Sequence, residues 1–214
     1  MSIYILTSWF PNGFNNEIAQ LMKKFIKRRT KFAFIASEFE KNHEKTDQYF
    51  EEVLGLFQNI GIDFEKSYVV DGRMEKEVAK DIVRSADVVW LAGGDTPTEY
   101  QYLLKYELID ILREHSGVII GMSAGSINLT KMAICTLACG HDKQEMYEGI
   151  GCVGFSVEPH FNVNKVSKEL LELSKQYIIY GLCDESLILC EGKTIIFLGE
   201  VYQIIDGTVK QISV

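Results

Sequence analysis

Residues 117 to 134 read "GVIIGMSAGSINLTKMAI", and the order of residue types there sets how the rest of the chain is read. Val118, Ile119 and Ile120 form a β-branched run unbroken by polar residues, as in a strand buried on both faces. "AGSINLTKMAI" after it is expected to form a helix, which puts Ser123 on the tight turn between the two. Gly121 and Gly125 remove the side chains that would collide in such a turn. The serine hydroxyl is then presented at the carboxyl edge of the sheet. The N–H of Ala124, at the helix start, can help bind an oxyanion beside it. The simpler role for a serine here is to cap the helix; the passage from strand straight into helix favours the nucleophile.

Outward from this stretch, apolar runs of strand length alternate with amphipathic runs of helix length. Strands are expected at 3–7, 32–36, 68–70 and 88–92, and helices at about 15–29, 47–59 and 75–85. This βαβα order predicts an α/β fold with a mostly parallel sheet flanked by helices. After Gly151 the rhythm changes. A helix over 165–176 is followed by short alternating runs at 178–183, 187–190, 194–197, 202–205 and 209–212. The turn pairs Glu191-Gly192 and Asp206-Gly207 predict C-terminal antiparallel hairpins. With no internal repeat, low-complexity stretch or linker, residues 1–214 read as a single domain.

Composition bounds the function. The chain has 214 residues, 47% of them hydrophobic, and 3 prolines, enough to bury a core of its own. No apolar run approaches the ~18 residues of a membrane span, so no membrane partner is expected. The apolar start lacks a basic leader and a cleavage site, which predicts a first strand and a cytoplasmic protein. The net charge of -8 would repel a polyanion, which argues against nucleic acid as a partner. The basic run from Lys23 to Arg29 belongs to the solvated face of the first helix, near its C-terminus.

The five cysteines, Cys135, Cys139, Cys152, Cys183 and Cys190, show no Cys-x-x-Cys spacing and read as reduced, mostly buried thiols. Cys135, Cys139 and His141 make only a weak metal signal without a fourth ligand. No metal or organic cofactor is expected.

A serine nucleophile needs a base, and the base an orienting acid. His43 opens a charged helix, His115 precedes the Ser123 strand and His141 lies in a polar loop, whereas His160, in "SVEPHFNVN", directly follows a strand. "YGLCDESLIL" offers Asp184 and Glu185 at a strand end, and at most one of two neighbours faces a given site. A standard α/β-hydrolase runs serine, acid, histidine, but this chain has no histidine after His160. The natural order here is Ser123, His160, then Asp184 or Glu185.

"WLAGGDT", "GMSAGS", "EPHFN" and "GLCDES", in that order along the chain, resemble the peptidase E (aspartyl dipeptidase) family of serine peptidases, which includes the cyanophycinases. The resemblance implies a fold like the class I glutamine amidotransferases, a three-layer flavodoxin-like sandwich, with serine replacing their cysteine. It also implies a small peptide as substrate. Ser123 matches the family's nucleophile and His160 its general base; Gly94 and Ala124 match the backbone donors of the oxyanion hole. Asp184 or Glu185 is the third member, Asp184 the first choice.

Two positions depart from the family pattern. Asp95 stands where peptidase E has asparagine, and the segment beyond "PHF" has lysines, among them Lys165, where the family has an arginine. Asp95, Thr96 and Lys165 are the expected substrate-binding residues. The resemblance thus carries the reaction class and not the aspartyl preference. A serine amidase or esterase, or a non-catalytic ligand-binding member of the fold, is also compatible with these residues, and so is a homodimer.

Overall fold

The computed structural model describes residues 2–140 and 142–213. Up to the Ser123 turn the elements alternate: β1 (Ile3–Thr7), α1 (Asn16–Phe25), β2 (Lys31–Ile35), α2 (His43–Asn59), β3 (Lys66–Val70), α3 (Lys76–Ser85), β4 (Val88–Leu91), α4 (Thr96–Lys105), α5 (Ile109–Arg113), β5 (Val118–Met122) and α6 (Ala124–Leu129). The remainder is mostly strand: β6 (Met132–Cys135), β7 (Glu145–Glu148), β8 (Ser156–Pro159), α7 (Lys168–Leu173), β9 (Ile179–Leu182), β10 (Leu187–Glu191), β11 (Thr194–Leu198), β12 (Val201–Ile205) and β13 (Thr208–Ser213).

The main sheet has the order β11-β10-β1-β5-β4-β2-β3. Its five strands from β1 to β3 are mutually parallel, and β10 and β11 add an antiparallel edge. The period of two along a strand sorts the residues between its faces. Phe32, Phe34 and Trp90 meet the rings of α2, with Phe57 5.7 Å from Phe32 and 5.9 Å from Trp90. On the opposite face Gly121 and Leu91 pack against α6. The strands are therefore buried on both sides, which is why their sequences are nearly continuous apolar runs.

The C-terminal strands divide between two sheets. β10 and β11 join the main sheet, while β12 and β13 extend a second sheet of order β13-β12-β9-β8 in which β8 and β9 run parallel. Both hairpins form: Asp206-Gly207 is the turn pair expected, while the other turn lies one residue later than expected, at Gly192-Lys193, because Glu191 pairs with Thr194; Gly192, Asp206 and Gly207 have positive φ.

Three helices are shorter than expected, and that expected over 165–176 is reduced to α7, Lys168–Leu173, with Ser167 as its cap. The helix expected over 15–29 stops at Phe25, because Ile26 adopts φ -86 and ψ 84 and Arg28 turns back to the buried Asp87, 3.0 Å away. The helix expected to run through 124–134 stops at Leu129. Thr130 is extended and its hydroxyl donates to the Ile127 carbonyl at 2.7 Å, and residues 132–135 pair with β7 instead. Strand pairing there outweighs local helix preference.

Candidate active site

Ser123 has φ 49 and ψ -107, a conformation rare for a residue with a side chain, at the junction of β5 and α6. The strain is imposed by close packing. A Cβ on Gly125 would lie 2.4 Å from the Leu91 carbonyl oxygen, and one on Gly121 would lie 2.6 Å from the Gly125 carbonyl. α6 therefore rests directly on the sheet backbone. The turn is also tied to β1: the Ser123 N–H donates to the Thr7 carbonyl at 3.0 Å, and the buried Ser126 hydroxyl lies 2.7 Å from the carbonyl oxygens of Thr7 and Gly121.

The second sheet supplies the other two groups. Parallel pairing sets Pro159 opposite Leu182, so the residues that follow, His160 and Asp184, leave adjacent strands at the same end. Gly181 keeps this register open, because a Cβ there would meet the Phe161 ring at 2.4 Å. His160 Nε2 lies 3.0 Å from Ser123 Oγ, and His160 Nδ1 lies 2.8 Å from Asp184 Oδ1.

Ser8, fully buried at the end of β1, joins the pair. Its hydroxyl donates to Asp184 Oδ1 at 2.7 Å and accepts the His160 N–H at 2.8 Å. Glu185 turns away: its N–H donates to the Trp9 carbonyl and its carboxylate accepts from the Asn12 amide.

A cleft of about 270 Å³ opens between α2 and the loops after β2 and β4, lined by Ser37, Glu38, Lys45, Tyr49, Gly94 and Asp95 among others; Ser123, His160 and Asp184 do not line it, and it reaches toward Ser123 through Gly93, where a Cβ would lie 3.5 Å from the Ser123 Cβ. It occupies the usual ligand position of an open α/β sheet, outside the carboxyl ends of the strands. Burial raises the Glu38 carboxyl pKa, but hydrogen bonds from the Glu40 N–H (2.8 Å) and the Tyr102 hydroxyl (2.7 Å) outweigh it, and the net shift is downward. Glu38 is therefore a fixed anion on the cleft wall. Burial pushes the Cys183 thiol, next to Asp184, up to about 11, which keeps it protonated and a poor competitor for electrophiles.

A strained serine at a strand-to-helix turn, a histidine at its hydroxyl and a carboxylate behind that histidine are the parts a serine peptidase requires. Comparison with known families gives the matching result. The profile of peptidase family S51 matches residues 5–198. The chain belongs to peptidase family S51. A peptidase E of Nostoc sp. is 25% identical over 200 residues, covering 84% of this chain and 76% of that protein. Among solved structures, a peptidase from an acI-B1 actinobacterium superposes with a TM-score of 0.73 at 15% identity, covering all of this chain and 94% of the other. A peptidase E-like protein from Listeria monocytogenes gives 0.67 at 21% identity, covering 92% of this chain and 98% of that one. These structures share the α/β fold with its mostly parallel sheet and C-terminal antiparallel strands.

In this S51 chain the structure brings Ser123, His160 and Asp184 together, and puts Gly94 on the loop after β4 and Ala124, directly after Ser123, at the first position of α6. Of the expected substrate-binding residues, Asp95 lines the cleft and also caps α4, accepting the Thr98 N–H at 2.9 Å. Thr96 is 3% exposed and packs inward, its carbonyl accepting from the Asn128 amide at 3.0 Å. Lys165 ends an exposed 3-10 turn, Val163–Lys165, and is not among the residues lining the cleft.

The cysteines are free, and only Cys135 and Cys190 are fully buried; Cys139 is exposed, contrary to the expectation of mostly buried thiols. His141, of the weak Cys135–Cys139–His141 grouping, lies outside the described residues. Among the described residues no helix is long and apolar enough to cross a membrane. Ser8 was not legible in the sequence. A lone serine after a strand carries no spacing signal, and its partners lie 152 and 176 residues away.

Proposed function

We propose that this S51 peptidase hydrolyses small peptides, dipeptides among them, through an acyl-enzyme on Ser123. The observation that carries the reading is the continuous chain of contacts from Ser123 Oγ through His160 to Asp184, 3.0 and 2.8 Å long. His160 Nε2 takes the Ser123 proton as the oxygen attacks the peptide carbonyl. The N–H groups of Gly94 and Ala124 receive the developing oxyanion. His160 then passes its proton to the leaving amine, and a water repeats the sequence to release the acyl group.

Asp184 holds the Nδ1–H tautomer and offsets the imidazolium charge, while Ser8 fixes both partners. The cleft beside Gly94, of about 270 Å³, has room for a short peptide end. Asp95 and Lys45 in its wall provide opposite charges for the ends of such a substrate.

The test is hydrolysis of a dipeptide panel by wild type and Ser123→Ala, with thermal melts of both. The variant is expected to melt like wild type and to lose at least about a thousandfold in kcat/KM. Equal turnover by the two proteins would sink the proposal.

A further inference from the structure

The oxyanion site proposed above depends on the direction of one peptide group, and the structure shows what holds it. Gly93 and Gly94 both lack a side chain, so the peptide between them can rotate at little steric cost. One orientation points the Gly94 N–H at the reacting carbonyl. The flipped one would put the Gly93 oxygen there, where it would repel an oxyanion.

In a trans peptide the carbonyl oxygen and the N–H lie on opposite sides, with the oxygen beside the following Cα and the hydrogen beside the preceding one. The oxygen side here belongs to Ser37. Its hydroxyl donates to the Gly93 carbonyl at 2.8 Å, and a Cβ on Gly94 would come within 2.2 Å of Ser37 Oγ. The hydrogen lies on the side of the Gly93 Cα, which faces the Met122-Ser123 turn: a Cβ there would lie 2.8 Å from Met122 Cε and 3.5 Å from the Ser123 Cβ. The Gly94 N–H therefore points away from Ser37.

We infer that Ser37, on the loop after β2, is a positioning residue of the oxyanion hole, locking the Gly93-Gly94 peptide with its N–H toward Ser123. The inference rests on the acyl-enzyme reading above. It accounts for two features at once: a serine on the cleft wall whose hydroxyl is spent on the Gly93 carbonyl, and a glycine at 94, where any side chain would strike that hydroxyl. Ser37 acts through the peptide and touches no reacting atom.

The experiment measures the second-order rate of inactivation by a fluorophosphonate, whose phosphoryl oxygen needs the same donors, for wild type, Ser37→Ala and Ser37→Thr across pH. Ser37→Ala is expected to react roughly ten- to a hundredfold more slowly at every pH, since a misdirected donor costs less than a deleted one. The pH midpoint of the reaction should not move, and Ser37→Thr, which keeps the hydroxyl, should recover most of the rate. If Ser37→Ala fails to fold, as judged by its melt, Ser37→Gly is read in its place.

A wild type labelled at Ser123 with a hydroxyl-free variant equally fast would overturn the Ser37 inference alone. A loss of rate together with a shifted pH midpoint would also overturn it, by placing the defect at His160. A wild type that is inert to the probe and to the peptide panel would overturn the acyl-enzyme reading as well.

Discussion

Asp184→Asn is expected to cost this protein much less than the same change where an amide inverts the histidine tautomer, and the difference is set by Ser8. Two donors, the Ser8 hydroxyl at 2.7 Å and His160 Nδ1 at 2.8 Å, converge on the single oxygen Oδ1 of Asp184. An asparagine with its oxygen at that point keeps both donors, His160 Nδ1–H and the Ser8 hydroxyl, which donates its proton there while one of its lone pairs accepts the His160 N–H. The tautomer survives, and only the charge is lost. Unit charges ~4 Å apart interact by about 4 kcal/mol at an effective dielectric of 20 and about 1 kcal/mol in water. With the His160 and Asp184 side chains 52% and 46% exposed, the lost stabilisation of the imidazolium lies between those limits, about 2–3 kcal/mol. That is roughly a 30- to 160-fold fall in kcat/KM. Tautomer inversion costs about ten-thousandfold. The assay is kcat/KM for the best dipeptide with wild type, Asp184→Asn, His160→Ala and Glu185→Gln. The last should stay within about threefold of wild type, since Glu185 holds Asn12 and not the histidine. Loss in Asp184→Asn as complete as in His160→Ala, or greater loss in Glu185→Gln, would refute the reasoning.

Two further expectations follow from packing and burial. Gly125→Ala places a Cβ 2.4 Å from the Leu91 carbonyl, a strand backbone atom that cannot swing aside; the variant should lose about 2–3 kcal/mol and several degrees of melting temperature, and an unchanged melt would contradict the packing described. Burial, aided by Glu169, pushes the Glu158 carboxyl up to about 7 from an ordinary 4.5, against a lowering by the Thr136 hydroxyl. The folded state therefore holds the proton more tightly than the unfolded chain. The stability from Glu158 is present below pH ~4.5 and falls away as pH rises through about 7, by up to about 3 kcal/mol. Denaturant melts of wild type and Glu158→Gln between pH 4.5 and 8 should diverge in that direction, and parallel curves would show that Glu158 does not titrate as described.

The main sheet was legible because its strands are apolar on both faces and its breaks carry glycine or polar residues; β1 and β5 lie where "IYILT" and "GVIIG" place them. The Ser123 turn was legible for the same reason, since glycines two residues to either side of a serine make sense only where backbones touch. His160 and Asp184 could be chosen as strand-end residues, but their meeting depends on the parallel pairing of β8 with β9, a contact between segments separated by α7 that no local pattern encodes. The choice between Asp184 and Glu185 is decided by which way each points once Glu185 has bonded to Trp9 and Asn12. Ser8 and Ser37 were invisible for a related reason, because each acts only through groups that the fold brings from elsewhere. Local preference misled at residues 130–134, where "TKMAI" continues a helical pattern but finds β7 as a partner.

The most direct test of the central claim is intact mass after exposure to a fluorophosphonate, followed by peptide mapping, on wild type and Ser123→Ala side by side. The account predicts one phosphonyl group on wild type, carried by the peptide containing Ser123, and none on the variant. A folded wild type that takes up no label, or a Ser123→Ala protein labelled to the same extent, would contradict it.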